Sequence, residues 1–179
     1  MAWSSSGESG FFIATMIAGL TAATQTGTPT AININESSEQ NLSLVSGSAV
    51  SYTNAPLQYG AAAPGWTNAD EVTGTGWSTG GVLLSTATST NGDVVPTTTI
   101  TGSGPYVLTY SWTHALSVAS TTLTGIYGCL IYFPNITAGV ASKPEMLALY
   151  FGNTAYNTVN GTFGITPSGS GLAALTLTA

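Results

Sequence analysis

Positive charge is what this chain lacks most. Lys143 is the single basic side chain among 179 residues. Charged residues of either sign make up 4% of the chain, against about 25% in an ordinary soluble domain. Proteins that hold nucleic acid gain most of their affinity by neutralising phosphates with several lysines and arginines, so that partner class is excluded. Cysteine and histidine are equally scarce, at one each. A lone Cys129 leaves no intrachain disulfide framework, and its setting, Gly128-Cys129-Leu130-Ile131-Tyr132, points to a buried, inert thiol. A lone His114 without a cysteine cluster lacks the ligands of a transition-metal site. Long apolar runs are missing too. The stretch Gly10–Leu20 is shorter than the ~20 residues of a membrane span, and no Lys or Arg precedes it, as a secretory leader would require. The expectation is a protein with no cofactor, no nucleic acid and no membrane partner.

What is there in place of charge is hydroxyl and backbone. The chain has fifty serines and threonines and 22 glycines, so these groups must solvate the surface. The formal net charge of −6 comes from seven scattered carboxylates rather than from an acidic tail. With 43% hydrophobic residues, the chain does not have the low hydrophobicity and high charge of a disordered segment. Its length suits one domain with a real core.

Two regimes of hydrophobic pattern divide the chain. Residues 1–28 read as an N-terminal arm and helix, and residues 29–179 as a β-sandwich domain. Met1–Glu8 is a Ser- and Gly-rich lead-in. From Ser9 to about Ala23, Phe12, Met16 and Leu20 recur every four residues with Ile13 and Ile17 beside them, which predicts a short amphipathic α-helix capped by Ser9. Thr24–Pro29 breaks it. Beyond Pro29 the period is two. Short strands are predicted at Ala31–Ile34, Leu42–Val45, from Gly81 onward, and over Thr97–Thr101. The clearest runs from Tyr106 to Leu116, with Tyr106, Leu108, Tyr110, Trp112 and His114 on one face. Ile126–Phe133 and Met146–Phe151 are continuous apolar runs suited to central strands covered on both faces. Gly161–Thr166 and Leu172–Thr178 read as a closing hairpin around Pro167–Gly171. The sum is a mainly β protein, an antiparallel β-sandwich of about seven to nine strands with one short N-terminal α-helix. Between Gly47 and Gly81 a Gly/Pro/Asn-rich stretch reads as a long surface loop.

Few residue groupings carry chemistry. Gly76-Trp77-Ser78-Thr79-Gly80 fits the nucleophile-elbow pattern, and Asp93 and His114 follow in hydrolase order. That elbow needs an apolar strand before the serine and a helix after it; the flanking residues offer neither, and a Gly-rich turn is the expectation. Asn68–Glu71 and Asn91–Asp93 have oxygen ligands suited to calcium, but turn formation accounts for both. Glu36 and Glu39 lie in a polar segment without further catalytic context. Trp66 and Trp77 would be exposed-loop contacts if the long loop presents them, for example to sugar rings, although large aromatics commonly serve cores and interfaces. No catalytic residue is expected.

The segment from Asn68 to Val82 (Asn-Ala-Asp-Glu-Val-Thr-Gly-Thr-Gly-Trp-Ser-Thr-Gly-Gly-Val) resembles a recurrent motif of small β-rich structural proteins of tailed bacteriophages, especially phages of actinobacteria. The start Ser9-Gly10-Phe11-Phe12, the run Gly125–Phe133, and the ending Gly161–Ile165 with Leu175–Thr178 agree in order. The chain departs from that pattern in having no aromatic near Pro167 and no acidic residue with a terminal proline, and residues 46–66 align poorly. The resemblance implies a non-enzymatic part of a virion: a capsid decoration or cement protein on the outer head surface, or alternatively a minor tail or host-contact (carbohydrate-binding) accessory protein. Its implied partners are the major capsid protein or other virion proteins, in a homo-oligomer or many-copy assembly. Phe11, Phe12, Met16, Ile17 and Leu20 are then the expected assembly contacts.

Overall fold

The structure, a computed structural model, describes residues 10–11, 34–35, 37–46, 59–60, 70–89, 92–103, 105–135, 143 and 145–177. Among them the chain is mainly β, with every strand pair antiparallel. The strands are β1 (Gly10–Phe11), β2 (Asn41–Val45), β3 (Val82–Leu83), β4 (Thr88–Ser89), β5 (Gly92–Asp93), β6 (Pro96–Thr101), β7 (Tyr106–Trp112), β8 (Leu116–Ile126), β9 (Gly128–Tyr132), β10 (Glu145–Tyr150), β11 (Tyr156–Ile165) and β12 (Ala173–Leu177). They form a five-stranded sheet in the order β1-β10-β9-β2-β3, a three-stranded sheet β12-β7-β6, and the two-stranded pairs β8-β11 and β4-β5.

The five-stranded sheet is covered on both faces, which its sequence anticipates. Leu44, Cys129 and Leu149 are neighbours across β2, β9 and β10, as are Leu42, Ile131 and Leu147. These six belong to the main core. Leu130 and Ala148, which alternate with them, and Val45, next to Leu44, form a second cluster against which Tyr59, Tyr127 and Tyr150 pack. A register shift between Glu145 and Leu147 turns Met146 into the main core as well.

Three consecutive strands serve three sheets. The chain leaves β7 of the three-stranded sheet, turns within Thr113–Ala115, runs through β8 of the ribbon, and enters β9 after Tyr127 alone. Tyr127 donates its amide to Val45 (2.9 Å) and accepts from the Phe151 amide (2.9 Å), which fixes that corner. All three larger sheets contribute to one cluster, through Tyr110 and Trp112, through Leu116, Leu123, Ile126, Phe163 and Ile165, and through the six residues above. A buried polar chain lies inside it. Trp112 Nε1 donates to the Tyr110 hydroxyl (3.0 Å), which donates to Gln40 Oε1 (2.6 Å), while Gln40 Nε2 donates to the Ile34 carbonyl (2.9 Å). Satisfying these groups is what makes their burial tolerable.

Several sequence expectations need correction. Gly10 and Phe11 are strand residues, paired with Ala148 and Leu147, not the first turn of a helix; unsatisfied backbone groups on β10 take precedence over local helical spacing. The remainder of the predicted helix, with Phe12, Met16, Ile17 and Leu20, lies outside the described residues, as do Ala31–Asn33 and Trp66. The strand from Tyr106 stops at Trp112, so His114 sits in the turn and not on the strand face. The strand from Gly81 is two residues long and gives way to a 3-10 turn at Leu84–Thr86. The closing hairpin does not form. Ser168 and Gly171 do close a tight turn (2.9 Å), but β11 pairs with β8 and β12 with β7, in different sheets. The eleven-residue β8 was not expected at all. Its ladder with β11 shifts register three times, and Ser120 (φ 57°) and Asn160 (φ 46°) adopt left-handed backbone. Such bulges destroy the period of two that would have marked the strand.

Candidate functional site: the loop clasp on the outer sheet face

The most chemically organised region lies where residues 70–81 cross from β2 to the β8-β11 ribbon. Glu71 bridges to Val45 in the backbone, and the Val72 amide donates to the Leu44 carbonyl (2.8 Å). The Glu71 carboxylate then gathers three donors. Oε1 accepts from Ser43 Oγ (2.6 Å) and from the Gly80 amide (2.8 Å), and Oε2 accepts from the Tyr59 hydroxyl (2.8 Å). The Gly80 carbonyl in turn accepts from the Tyr132 hydroxyl (2.8 Å) and from Asn41 Nδ2 (3.1 Å). One carboxylate thus ties both ends of a ten-residue loop to the sheet beneath it.

Aromatic stacking completes the clasp. The rings of Tyr59 and Tyr132 are parallel within 5° at 4.2 Å. Lys143 Nζ lies 5.9 Å from the centre of the Tyr59 ring, within cation–π range. Burial raises the Tyr59 hydroxyl's pKa well above the usual phenol value, helped by the hydrogen bond to Glu71 and its negative charge. Burial does the same to Tyr132. Both phenols are therefore held as neutral donors, the form this arrangement needs.

Within the loop the glycines permit close backbone approach. Gly74 and Trp77 exchange two backbone hydrogen bonds (2.9 and 3.0 Å), and Thr75 bridges to Thr122 of β8. A Cβ on Gly74 would sit 2.3 Å from the Thr122 carbonyl oxygen. Gly81, at φ +73°, lies so near Leu42 that a Cβ would fall 1.9 Å from its carbonyl oxygen. The turn delivers Trp77 into the core, 1% exposed, edge-on to Phe163 at 5.5 Å. Trp77 is thus a core anchor and not the exposed contact expected from its Gly-rich surroundings. Burying an indole recovers more free energy than presenting it to water.

The other residues singled out in the sequence fall elsewhere. Ser78 is exposed and is followed by a second turn, Gly81 N–H to the Ser78 carbonyl (2.9 Å), and then by β3. That is turn, turn, strand, where an elbow requires strand, turn, helix. Asp93 lies in β5, and His114 in the β7–β8 turn. Among the described residues no three of His, Cys, Asp and Glu come together in a way that could hold a metal ion, and no helix is long and apolar enough to cross a membrane. Phe11 pairs through its backbone with Leu147 at the sheet's edge. The clasp residues Asn41, Ser43, Tyr59 and Tyr132 escaped sequence reasoning because they converge from distant positions. The one local signal was a carboxylate nine residues before the glycine pair. No protein-family model, no curated protein and no solved structure matches the chain.

Proposed function

We propose that this protein is a non-enzymatic structural component of a virion, a decoration or cement protein on the outer head surface of a tailed phage. The observation that carries the reading is the near-absence of charge, 4% of 179 residues, on a scaffold whose most organised polar grouping holds a loop. The clasp supports it. Glu71 accepts from three donors, so the most elaborate polar grouping locks structure in place. Glu71 and Gly80 of the clasp, and the buried Trp77, fall within the phage-like motif from Asn68 to Val82. In this reading the larger sheets close as a β-sandwich about the shared core.

Docking falls to the N-terminal segment. The backbone of Gly10–Phe11 is engaged by β10, so the apolar set Phe12, Met16, Ile17 and Leu20 lies just beyond a point anchored to the domain. Buried against a major capsid protein at ~25 cal/mol per Å² of apolar surface, such a set contributes several kcal/mol per copy, and repetition over a shell multiplies modest affinity into avidity. The tail or host-contact alternative loses one of its two tryptophans, because Trp77 is in the core.

Immunogold labelling or subtomogram averaging of purified particles tests the reading. Hundreds of copies over the head are expected; a handful at the tail tip would favour the accessory reading, and absence from particles would overturn both. Rebinding to stripped heads should fail for a chain carrying Met16→Ser, Ile17→Ser and Leu20→Ser, while β1 remains able to pair.

A further inference from the structure

We propose that β6 is a self-pairing edge through which two copies of this chain join their three-stranded sheets into one continuous six-stranded sheet. Among the described residues, β6 is the longest sheet edge whose ladder runs without a register shift, six residues matched one to one with β7. The edges at β1 and β3 are two residues long, and the ribbon edges are kinked by their bulges. Edge strands are usually guarded by charge, bulges or cover. Among the described residues β6 has no charge and no bulge, its one guard being Pro96 at the strand's start, and Ile100 stands 70% exposed with Val95 39% exposed beside the strand.

The backbone orientation of this edge follows from its first residues. The Thr113 amide donates to the Val95 carbonyl (2.9 Å) and the Val95 amide donates to Thr113 Oγ1 (3.2 Å), so Val95 faces the β7 side. Antiparallel alternation then turns Thr97, Thr99 and Thr101 toward β7, and points the N–H and C=O of Thr98 and Ile100 outward. Pro96 agrees, since its missing N–H falls on the open side, where an edge proline is tolerated. The Thr98 hydroxyl donates to Asn35 Oδ1 (3.0 Å), a side-chain contact that leaves the outward backbone groups in the sheet plane.

A second copy fits this edge because the edge is complementary to itself. About a two-fold axis at Thr99, Thr98 exchanges two hydrogen bonds with the partner's Ile100, and symmetry repeats them. The Pro96 carbonyl meets the Gly102 N–H of the partner at each end, for a total of about six bonds. This register keeps the core-facing sides of the two sheets together. Although each copy carries −6, no Asp, Glu, Lys or Arg occurs from Val94 to Leu116, so β6 and β7 themselves bring no charge to the join.

The test uses the full chain. Thr99 and its symmetry mate would form a non-hydrogen-bonded pair with Cα atoms about 4.5 Å apart, within disulfide reach. Thr101 would lie about 13 Å from its own mate. Cys129 is buried and its thiol is pushed to a high pKa by burial, so it does not compete. Sedimentation equilibrium should give a concentration-dependent dimer, and oxidation should cross-link Thr99→Cys at least about tenfold faster than Thr101→Cys. Ile100→Pro removes an outward N–H that pairs with no described strand, so it should keep the wild-type circular dichroism spectrum and weaken dimerisation by about tenfold or more. A monomeric mass into the high micromolar range, equal cross-linking of the two cysteine variants, or a dimer unaffected by a folded Ile100→Pro would each overturn the proposal. It concerns the isolated chain, so its failure leaves the virion reading standing, and the converse also holds.

Discussion

Replacing Glu71 by alanine is the sharpest probe of how this molecule is held together. The substitution strips acceptors from Ser43 Oγ, Tyr59 Oη and the Gly80 amide at once. A hydrogen bond to a charged group contributes about 1.5–3 kcal/mol. Three would sum to well over 4 kcal/mol if additive, but partners in one network are not additive and water can enter at the half-buried site. The expected loss is about 4 kcal/mol, a large part of the ~5–15 kcal/mol by which a domain is stable. Glu71→Gln separates charge from shape. Its one carbonyl oxygen still serves Ser43 and Gly80, and the Tyr59 hydroxyl can rotate to accept from the new amide, so about 1–2 kcal/mol should be lost. Urea unfolding followed by tryptophan fluorescence measures both variants, because Trp77 leaves the core on unfolding. Amide exchange at Gly80 gives a local readout, and its protection should fall in Glu71→Ala before global unfolding. A loss below about 1 kcal/mol with Gly80 protection unchanged would refute the clasp as the element that fixes the loop.

Three further outcomes follow from the same geometry. Glu145 is fully buried, and burial pushes its carboxyl up to about 8 from 4.5. The folded state therefore holds a proton that the unfolded state has released between those values, so stability should fall by about 1.4 kcal/mol per pH unit from pH 4.5 to 8, and thermal melts of Glu145→Gln should lack that slope. Trp77→Ala should destabilise by about 3–5 kcal/mol while leaving any glycan binding on an array unchanged, since the ring is not on the surface. Gly81→Ala requires both a left-handed backbone and a Cβ 1.9 Å from the Leu42 carbonyl oxygen; it should yield little soluble folded protein, whereas alanine at Gly169, which meets no atom within 4 Å, should express and melt like the parent.

The legible parts of the fold are those in which local pattern and tertiary environment agree. Ile126–Phe133 and Met146–Phe151 read as doubly covered strands because nearly every residue is apolar, and the strands found there, Gly128–Tyr132 and Glu145–Tyr150, run through the interior of the five-stranded sheet. Thr97–Thr101 read as a strand from β-branching alone. Within the ribbon β8 was invisible because its sequence, Leu-Ser-Val-Ala-Ser-Thr-Thr-Leu-Thr-Gly-Ile, changes face at its bulges. Thr121, polar by composition, is buried there and donates to Thr158 Oγ1 (2.9 Å) or the Gly161 carbonyl (3.1 Å). The site was half legible. The motif from Asn68 to Val82 stood out in the sequence, but its glycines suggested an exposed loop, and nothing local reveals that Trp77 points inward.

By itself the sequence determined a charge-poor, hydroxyl-rich β protein with one cysteine in an apolar run and one basic side chain, because composition sets electrostatics and periodicity sets strand type without reference to neighbours. Only the tertiary structure decided which strands share a sheet, that β11 and β12 part company after their turn, and that Glu71 meets Ser43, Tyr59 and Gly80. Those outcomes depend on backbone groups and side chains far apart in the chain finding partners in three dimensions, and a hydrogen bond 28 residues long in sequence, such as Ser43 to Glu71, leaves no local trace.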